Sequence, residues 1–336
     1  MQRIKLAIIG CGKVTETFHL PAAISSNDFE VIVLVDKNLT QARKLAETYN
    51  IPLVEDDFKN IYGKVDAAIV ALPHHLHGNV GLELLQNNIH VLVEKPMALK
   101  KSECDRMIKA SHNFDVILSV GLIRRFYSAS GFVKNLIDNN MLGRITSFDI
   151  REGNIFSWNS SSDFMFRKFA GGGVLVDIGV HAMDTLLWWL GDYEDVLYYD
   201  DAMGGVEANS ELHLIMRSGA RGTLELSRTR NLRNTYIING EYGTLEVGLG
   251  VNPEIKLFIG SKEMYLSGQI INNKRYKNNK DVFIRQLKDF AEAIKNKMSP
   301  YITGVEGRRS VELMEACYSY KRKLKEPWMA SIEETI

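Results

Sequence analysis

The chain predicts an α/β domain followed by an α+β domain: a doubly wound parallel sheet, then an open, mostly antiparallel sheet. Three observations carry that expectation. The N-terminal third alternates continuous β-branched runs with helical stretches, as strands buried on both faces require. From Val196 to Ile259 strand-like runs follow one another with turns and no helix between them. At 336 residues the chain is long enough for about two domains of ~150 residues each. The expected boundaries are 1–122 and 123–336, with the last helices able to fold back onto the first domain.

The elements follow in order. Ile4 to Ile9 is an apolar strand ending at Gly10, and Val14 to Ser25 has helical character. Glu30 to Val35 is a second strand. Thr40 caps a helix to Tyr49, which Asn50-Ile51-Pro52 stops. Ala67 to Leu72, His90 to Val93 and Val116 to Val120 are further strands, separated by helices over Leu76–Asn87 and Ser102–His112. Beyond them the spacing predicts helices over Phe126–Asn140 and Gly173–Leu190. Strands are expected over Arg144–Gly153, Val196–Asp200, Glu211–Met216, Gly222–Ser227, Thr235–Asn239, Thr244–Val247 and Ile255–Ile259. The asparagine- and lysine-rich Asn272–Lys280 is a loop, and two helices follow, Asp281–Lys295 and Val305–Lys323.

Composition narrows the function classes. Forty-one basic and 41 acidic residues cancel, and each expected domain is near neutral by itself. A basic face for nucleic acid is therefore not expected, nor an electrostatically held membrane surface. With 45% hydrophobic residues a core can offset the ordering entropy, so disorder is excluded. Three scattered cysteines, Cys11, Cys104 and Cys317, fit a reducing, cytoplasmic compartment. No uninterrupted apolar run reaches the ~18 residues of a membrane span. Leu6–Ile9 is too short for the ~7–15 apolar residues at the centre of a secretion signal.

Gly10-Cys11-Gly12-Lys13-Val14-Thr15 lies between the first strand and a helix. Gly10 allows a tight turn, and Gly12 lets the backbone approach a pyrophosphate at the helix N-terminus. Lys13 and Val14 open that helix and belong to the same cofactor-binding set. Thr15 stands where Gly or Ala is usual and is expected to fit the helix–strand contact less well. Asp36 ends the second strand, 24 residues beyond Gly12, where a carboxylate accepts from ribose hydroxyls and disfavours a 2′-phosphate. The combination describes a Rossmann domain for NAD, with NADP possible because Lys37 adjoins Asp36. Leu72, Pro73, His74 and His77 end the third strand, and Glu94 and Lys95 end the fourth. These strand ends border the ligand crevice of such a sheet.

The chain resembles the glucose–fructose oxidoreductase / inositol dehydrogenase (Gfo/Idh/MocA) family in four segments. They are Ile8–Gly12 with His19-Leu20-Pro21, Ala71–His77, Val93-Glu94-Lys95-Pro96, and Gly171–His181. The resemblance implies an NAD(P)-dependent oxidoreductase. Such an enzyme moves a hydride between nicotinamide and a secondary alcohol or ketone of a sugar, cyclitol or sugar derivative. It further implies a homodimer or homotetramer built through the C-terminal sheet. Two other outcomes occur on the same fold, an NAD-dependent glycoside hydrolase and a regulator that binds the dinucleotide without catalysis. His74 stands where the family usually has Asn.

The resemblance assigns Lys95 to the reacting hydroxyl. The position agrees, since an apolar strand end is a setting in which a Lys can exchange a proton. Pairing with Glu94 is its other reading. The Pro at this turn predicts a cis Lys95–Pro96 bond. Asp177 and His181, four apart on a helix, share a face. Together they suit vicinal hydroxyls and a proton shuttle, because His titrates near neutrality. Lys95 and His181 are the two possible bases, and Asp177 orients them or holds a hydroxyl. Arg124 and Trp158 join Lys95, Asp177 and His181 as expected substrate contacts. Arg124 reads equally as a solvated helix start, and Trp158, with Arg167-Lys168, as an exposed loop. Trp188-Trp189 reads as packing. Arg228, Arg230 and Arg233 line the substrate side or act as edge-strand charges. No metal site is expected: one Asp and one His are too few ligands.

Overall fold

The computed structural model describes residues 3–157, 163–260, 265–269 and 279–324. They form two compact units. The first holds the described residues up to 130 and returns for 279–312, and the second holds 131–157, 165–260, 265–269 and 313–324.

In the first unit six parallel strands stand in the order β3-β2-β1-β4-β5-β6. They are β1 (Ile4–Ile9), β2 (Phe29–Val35), β3 (Leu53–Glu55), β4 (Ala67–Val70), β5 (His90–Val93) and β6 (Leu118–Val120). Of the two central strands, β4 is buried throughout and β1 at every position but Lys5, which is why their sequences run apolar with little alternation. Edge strand β3 is three residues long and is absent from the sequence reading, because so short a piece carries no period. Helices α2 (Leu39–Tyr49), α3 (His74–Gln86) and α4 (Lys101–Asn113) connect the strands. The first crossover begins as a π-turn, Thr15–His19, and continues as α1 (Leu20–Ile24).

Helix α7 (Asn279–Asn296) folds back into the first unit, the placement left open for the last helices. Its face of Phe283, Leu287, Phe290 and Ala291 is buried in the core of β1, β2 and α1. Phe283 stacks on Phe18 with centroids 4.9 Å apart, and Phe290 on Phe29 at 6.2 Å. Each such side chain gains roughly 1.5–3 kcal/mol on leaving water, so the helix goes where its apolar stripe is accepted.

The second unit holds nine strands in the order β14-β13-β12-β11-β7-β10-β9-β8-β15. They are β7 (Ile145–Gly153), β8 (Tyr193–Asp200), β9 (Asn209–Met216), β10 (Arg221–Ser227), β11 (Thr235–Gly240), β12 (Gly243–Gly248), β13 (Ile255–Gly260), β14 (Tyr265–Gln269) and β15 (Arg322–Lys323). Only β7–β10 and β8–β15 pair in parallel. Helix α6 (Val180–Leu190) packs on this sheet, and buried Trp189 meets Tyr236 edge to face at 5.4 Å, packing as expected.

Three boundaries differ from expectation. The 126–140 segment is a short 3-10 turn, Ile123–Phe126, and then α5 (Ser128–Asp138), with Tyr127 extended between them. Helix α8 is Gly304–Ser319, so it starts one residue before the expected Val305 and, at its other end, does not reach Lys323. Arg322 and Lys323 instead pair with β8, and the Leu324 amide donates to the Asp200 carbonyl at 2.8 Å. Tertiary pairing wins there over the helical propensity of a Lys/Arg run. Finally, the helical run Lys168–Leu190 has the length and apolar composition of a membrane span, although polar residues interrupt it. Of that apolar window, 78% is buried within the fold, as in the core helix of a globular domain.

Candidate active site

The first unit gathers one set of functional groups at the carboxyl ends of its strands. Gly10 has φ +100°, and a Cβ there would lie 2.1 Å from the Ala71 carbonyl oxygen. The turn after β1 thus touches the end of β4, and only glycine permits both the conformation and the approach. Thr15 fits better than its sequence position suggests. It is fully buried, and its hydroxyl donates to the Gly10 carbonyl at 2.6 Å. The hydroxyl that should crowd this contact is used to staple the π-turn to the glycine turn. Asp36 stands beside it. Its Oδ2 accepts from the Cys11 amide at 2.6 Å and its Oδ1 from the Asn38 amide at 2.7 Å. Burial and the neighbouring Asp36 charge push the Cys11 thiol up to about 12, so it stays protonated. Lys13 is half exposed and paired with Glu16 at 3.2 Å, and Val14 packs against the core.

Leu72, Pro73 and His74 form the β4–α3 connection. Leu72 and Pro73 are half-buried, while His74 is buried and meets His77 edge to face at 5.8 Å. His77 is placed differently from the expected cofactor contact. It is fully buried, with Nδ1 2.7 Å from the Pro96 carbonyl oxygen and Nε2 2.7 Å from that of Leu72. The neutral ring carries one N–H, so it donates to one of these two carbonyls while the other lies against the unprotonated nitrogen. Full burial pulls its pKa down against the opposing pull of the two carbonyls.

Glu94 and Lys95 follow β5, and the Lys95–Pro96 bond is cis, as the turn predicted. A residue that sequence reasoning missed supports them. His19 is fully buried, and its Nε2 lies 2.7 Å from Glu94 Oε1. Glu94 Oε2 accepts from the Lys95 amide at 3.1 Å. Burial alone would push the Glu94 carboxyl up. The His19 hydrogen bond and the charges of His19 and Lys95 outweigh it and hold Glu94 below the usual carboxylate range. His19 was legible only as part of His19-Leu20-Pro21, since nothing local says that its ring reaches the end of β5. Arg124 is half-buried in the 3-10 turn after β6.

The second unit gathers another set at the start of α6. Gly171 and Gly173 have φ +73° and +117°. A π-turn over Leu175–Gly179 leads into α6. A Cβ on Gly173 would fall 2.3 Å from Glu207 Oε1. That buried carboxylate accepts from the Leu175 amide at 2.9 Å and from the Tyr318 hydroxyl at 2.9 Å. Burial pushes its pKa up. Glu207 thus caps the helical segment that carries Asp177 and His181, and no local pattern around Glu207 points to that role.

Asp177, in the π-turn, and His181, in the first turn of α6, are each partly exposed. Asp177 forms a short ion pair with Arg228. Arg228 follows β10 and reaches Asp177 on this helical segment. Arg230 pairs with Glu225 at 3.1 Å and Arg233 with Asp149 at 3.1 Å on the sheet. Trp158 lies outside the described residues. Among the described residues no three His, Cys, Asp or Glu side chains gather as metal ligands.

The glycine turn with the helix start that follows it offers backbone donors for a dinucleotide's pyrophosphate, and Asp36 offers a carboxylate acceptor for its ribose. Two family models match the chain. "Oxidoreductase family, NAD-binding Rossmann fold" covers residues 4–122, and "GFO/IDH/MocA C-terminal domain" covers 132–246. Among curated relatives, the D-glucoside 3-dehydrogenase of Escherichia coli is 30% identical over 56% of this chain and 54% of its own length. That match therefore spans about half of the relative. The myo-inositol 2-dehydrogenase of Thermotoga maritima is 23% identical over 99% of this chain and 100% of its own length. The aldose-aldose oxidoreductase of Caulobacter crescentus, solved with glycerol, superposes with a TM-score of 0.84. It is 23% identical, covers 95% of this chain and 97% of that one, and establishes the shared fold. With both of its domains matched in order, the chain belongs to the GFO/IDH/MocA oxidoreductase family, with an NAD-binding Rossmann fold at its N-terminus.

Proposed function

We propose that the chain is an NAD-preferring dehydrogenase or ketoreductase for a secondary carbinol of a sugar, cyclitol or sugar derivative. The observation that carries this reading is the supported pair at the end of β5. Glu94 is held ionised by buried His19 and in turn fixes the Lys95 backbone beside the cis-Pro turn. Such a rigid mount is what a group contacting a reacting hydroxyl needs. The curated relatives named above act, by their names, on a glucoside and on myo-inositol.

Gly10, Gly12, Lys13 and Val14 hold the pyrophosphate side of NAD, Asp36 the ribose, and Leu72, Pro73 and His74 flank it. Bound NAD supplies the hydride acceptor. Lys95 binds the carbinol oxygen, Asp177 accepts from a substrate hydroxyl, and His181 takes up or returns the proton. Arg124 joins the substrate side. His77 supports this set by holding the Leu72 and Pro96 loops. We infer in addition a homodimer or homotetramer through the nine-stranded sheet. One face of that sheet carries the polar ladder Asp149, Arg151, Glu225 and Arg233. Light scattering on the purified chain tests that inference. The three buried free thiols support placement in the cytoplasm, which cell fractionation tests.

Lys95→Met is the direct test. With NAD and a panel of sugars and cyclitols, NADH formation is expected to fall by about 10²–10⁴-fold, the usual weight of a positioned acid–base group. NADH binding, read by fluorescence, should remain. Near-normal turnover in the variant would end this assignment of roles.

A further inference from the structure

Arg228 is tied down at every level. It directly follows β10, its amide donates to the Ala208 carbonyl at 2.9 Å, and its carbonyl accepts from the Phe156 amide at 2.8 Å. Its guanidinium lies over the Phe156 ring, 4.8 Å from the centroid. Its Nη2 donates to Asp177 Oδ2. The Arg228 side chain is 8% exposed and that of Asp177 22%, so this is a largely desolvated pair, unlike the ion pairs on the sheet. Gly179 brings the two elements together. A Cβ there would lie 2.6 Å from Leu226, so glycine lets the helix start lie close on the end of β10.

We propose that Arg228 is a positioning residue for Asp177. It sets the plane of the carboxylate and cancels its charge. Asp177 then serves as an oriented acceptor for substrate hydroxyls and leaves proton transfer to the other groups of the site. The physical grounds are two. A planar guanidinium braced on a ring offers fixed donor directions, which a Lys ammonium does not. A carboxylate has about four acceptor positions, so one ion pair leaves capacity for a hydroxyl. A consequence follows for substrate class. A bare Asp177 repels a phosphate or carboxylate on the sugar, whereas the neutral Asp177–Arg228 pair tolerates one.

This inference rests on the proposed role of Asp177, and the experiment separates the two. Arg228→Gln, Arg228→Lys, Asp177→Asn and the Asp177→Asn/Arg228→Gln double variant are assayed for NADH formation. The substrates are D-glucose, myo-inositol, methyl glucoside, glucose 6-phosphate and gluconate. Arg228→Gln is expected to raise KM about tenfold or more, the scale of one charge-assisted hydrogen bond, with a smaller change in kcat. Arg228→Lys should recover only part of that loss. The rise in KM should be larger for the anionic sugars than for the neutral ones. In the Asp177→Asn background the Arg228→Gln effect should vanish. Equal KM effects of Arg228→Gln with and without the Asp177 carboxylate overturn the inference. If Asp177→Asn alone leaves KM and kcat intact, the reading of the site itself falls. Should Arg228→Gln not fold, Arg228→Lys keeps the buried charge, and full activity in it on every substrate likewise overturns the inference.

Discussion

Asp36 and Thr15 show how much a single position can hide. The acid at the end of β2 was legible from its distance to Gly12, and it lies beside the glycine turn. Its two oxygens are held by the Cys11 and Asn38 amides, so its plane is set in advance. Charge-assisted hydrogen bonds are worth about 1.5–3 kcal/mol, and each 1.4 kcal/mol is tenfold in affinity. Asp36→Ala is therefore expected to raise the NAD KM by about one to two orders of magnitude and to narrow the gap to NADP. Parallel NAD and NADP titrations measure this, and an unchanged NAD KM would remove Asp36 from the cofactor set. Thr15 was misjudged because a rule about size ignores what a hydroxyl can bond; the acceptor, the Gly10 carbonyl, is supplied by the turn itself. His77 was legible as a residue near the crevice. Which way its ring points depends on carbonyls at Leu72 and Pro96, and the latter belongs to a loop that no local pattern connects to it.

At the scale of elements, the two helices that carry the candidate cofactor and substrate groups both begin with a π-turn, Thr15–His19 and Leu175–Gly179. Hydrophobic periodicity cannot register one added residue per turn, so both read as plain helices. π-turns concentrate at functional sites. The second is held by Glu207, a residue 32 positions from the Leu175 amide it accepts from. Gly173 is the weak point of this arrangement. A methyl there meets the Glu207 carboxylate at 2.3 Å, and φ +117° is strained for any side chain. Gly173→Ala is expected to cost about 1–3 kcal/mol of backbone strain and to displace the cap. Turnover should then fall more than NADH binding, because Asp177 and His181 lie just beyond the cap. Thermal melts together with kcat measure both effects. A variant with normal melting and normal kcat would show that the Glu207 contact does not position the helix.

For the whole molecule, neutrality of charge leaves the pH response to a few buried groups. Glu94 is held below its ordinary range, so it contributes stability above about pH 4.3, its unfolded value, and loses it as pH falls further. His90 acts earlier and with the same sign. Its Nδ1 accepts from the Ile117 amide at 2.9 Å, and burial pulls its pKa down, so the folded chain resists protonation that the unfolded chain accepts below about pH 6.5. His77, lowered chiefly by burial, adds to the same slope. Melting temperature is expected to drop from pH 7 to 5 and again below pH 4.5. His90→Asn, which retains an acceptor, should flatten the first drop. A melting temperature that rises on acidification through this range would contradict the assignment.

Most of the layout was legible because it depends on period and punctuation. The β-branched runs predict β1, β2, β4, β5 and β6, and the turn-separated runs predict most of the second sheet. Gly10 and Asp36 could be named as candidates from motif spacing, and Lys95, Asp177 and His181 from the family resemblance, because both are properties of the chain. Tertiary structure alone decided what each of these residues leans on: His19 on Glu94, Glu207 under the Gly173 turn and Arg228 on Asp177. The physical reason is range. Period and turn chemistry act over a few residues, whereas a buried charge is satisfied by whichever partner the fold delivers, here 75 positions away for His19 and 51 for Arg228.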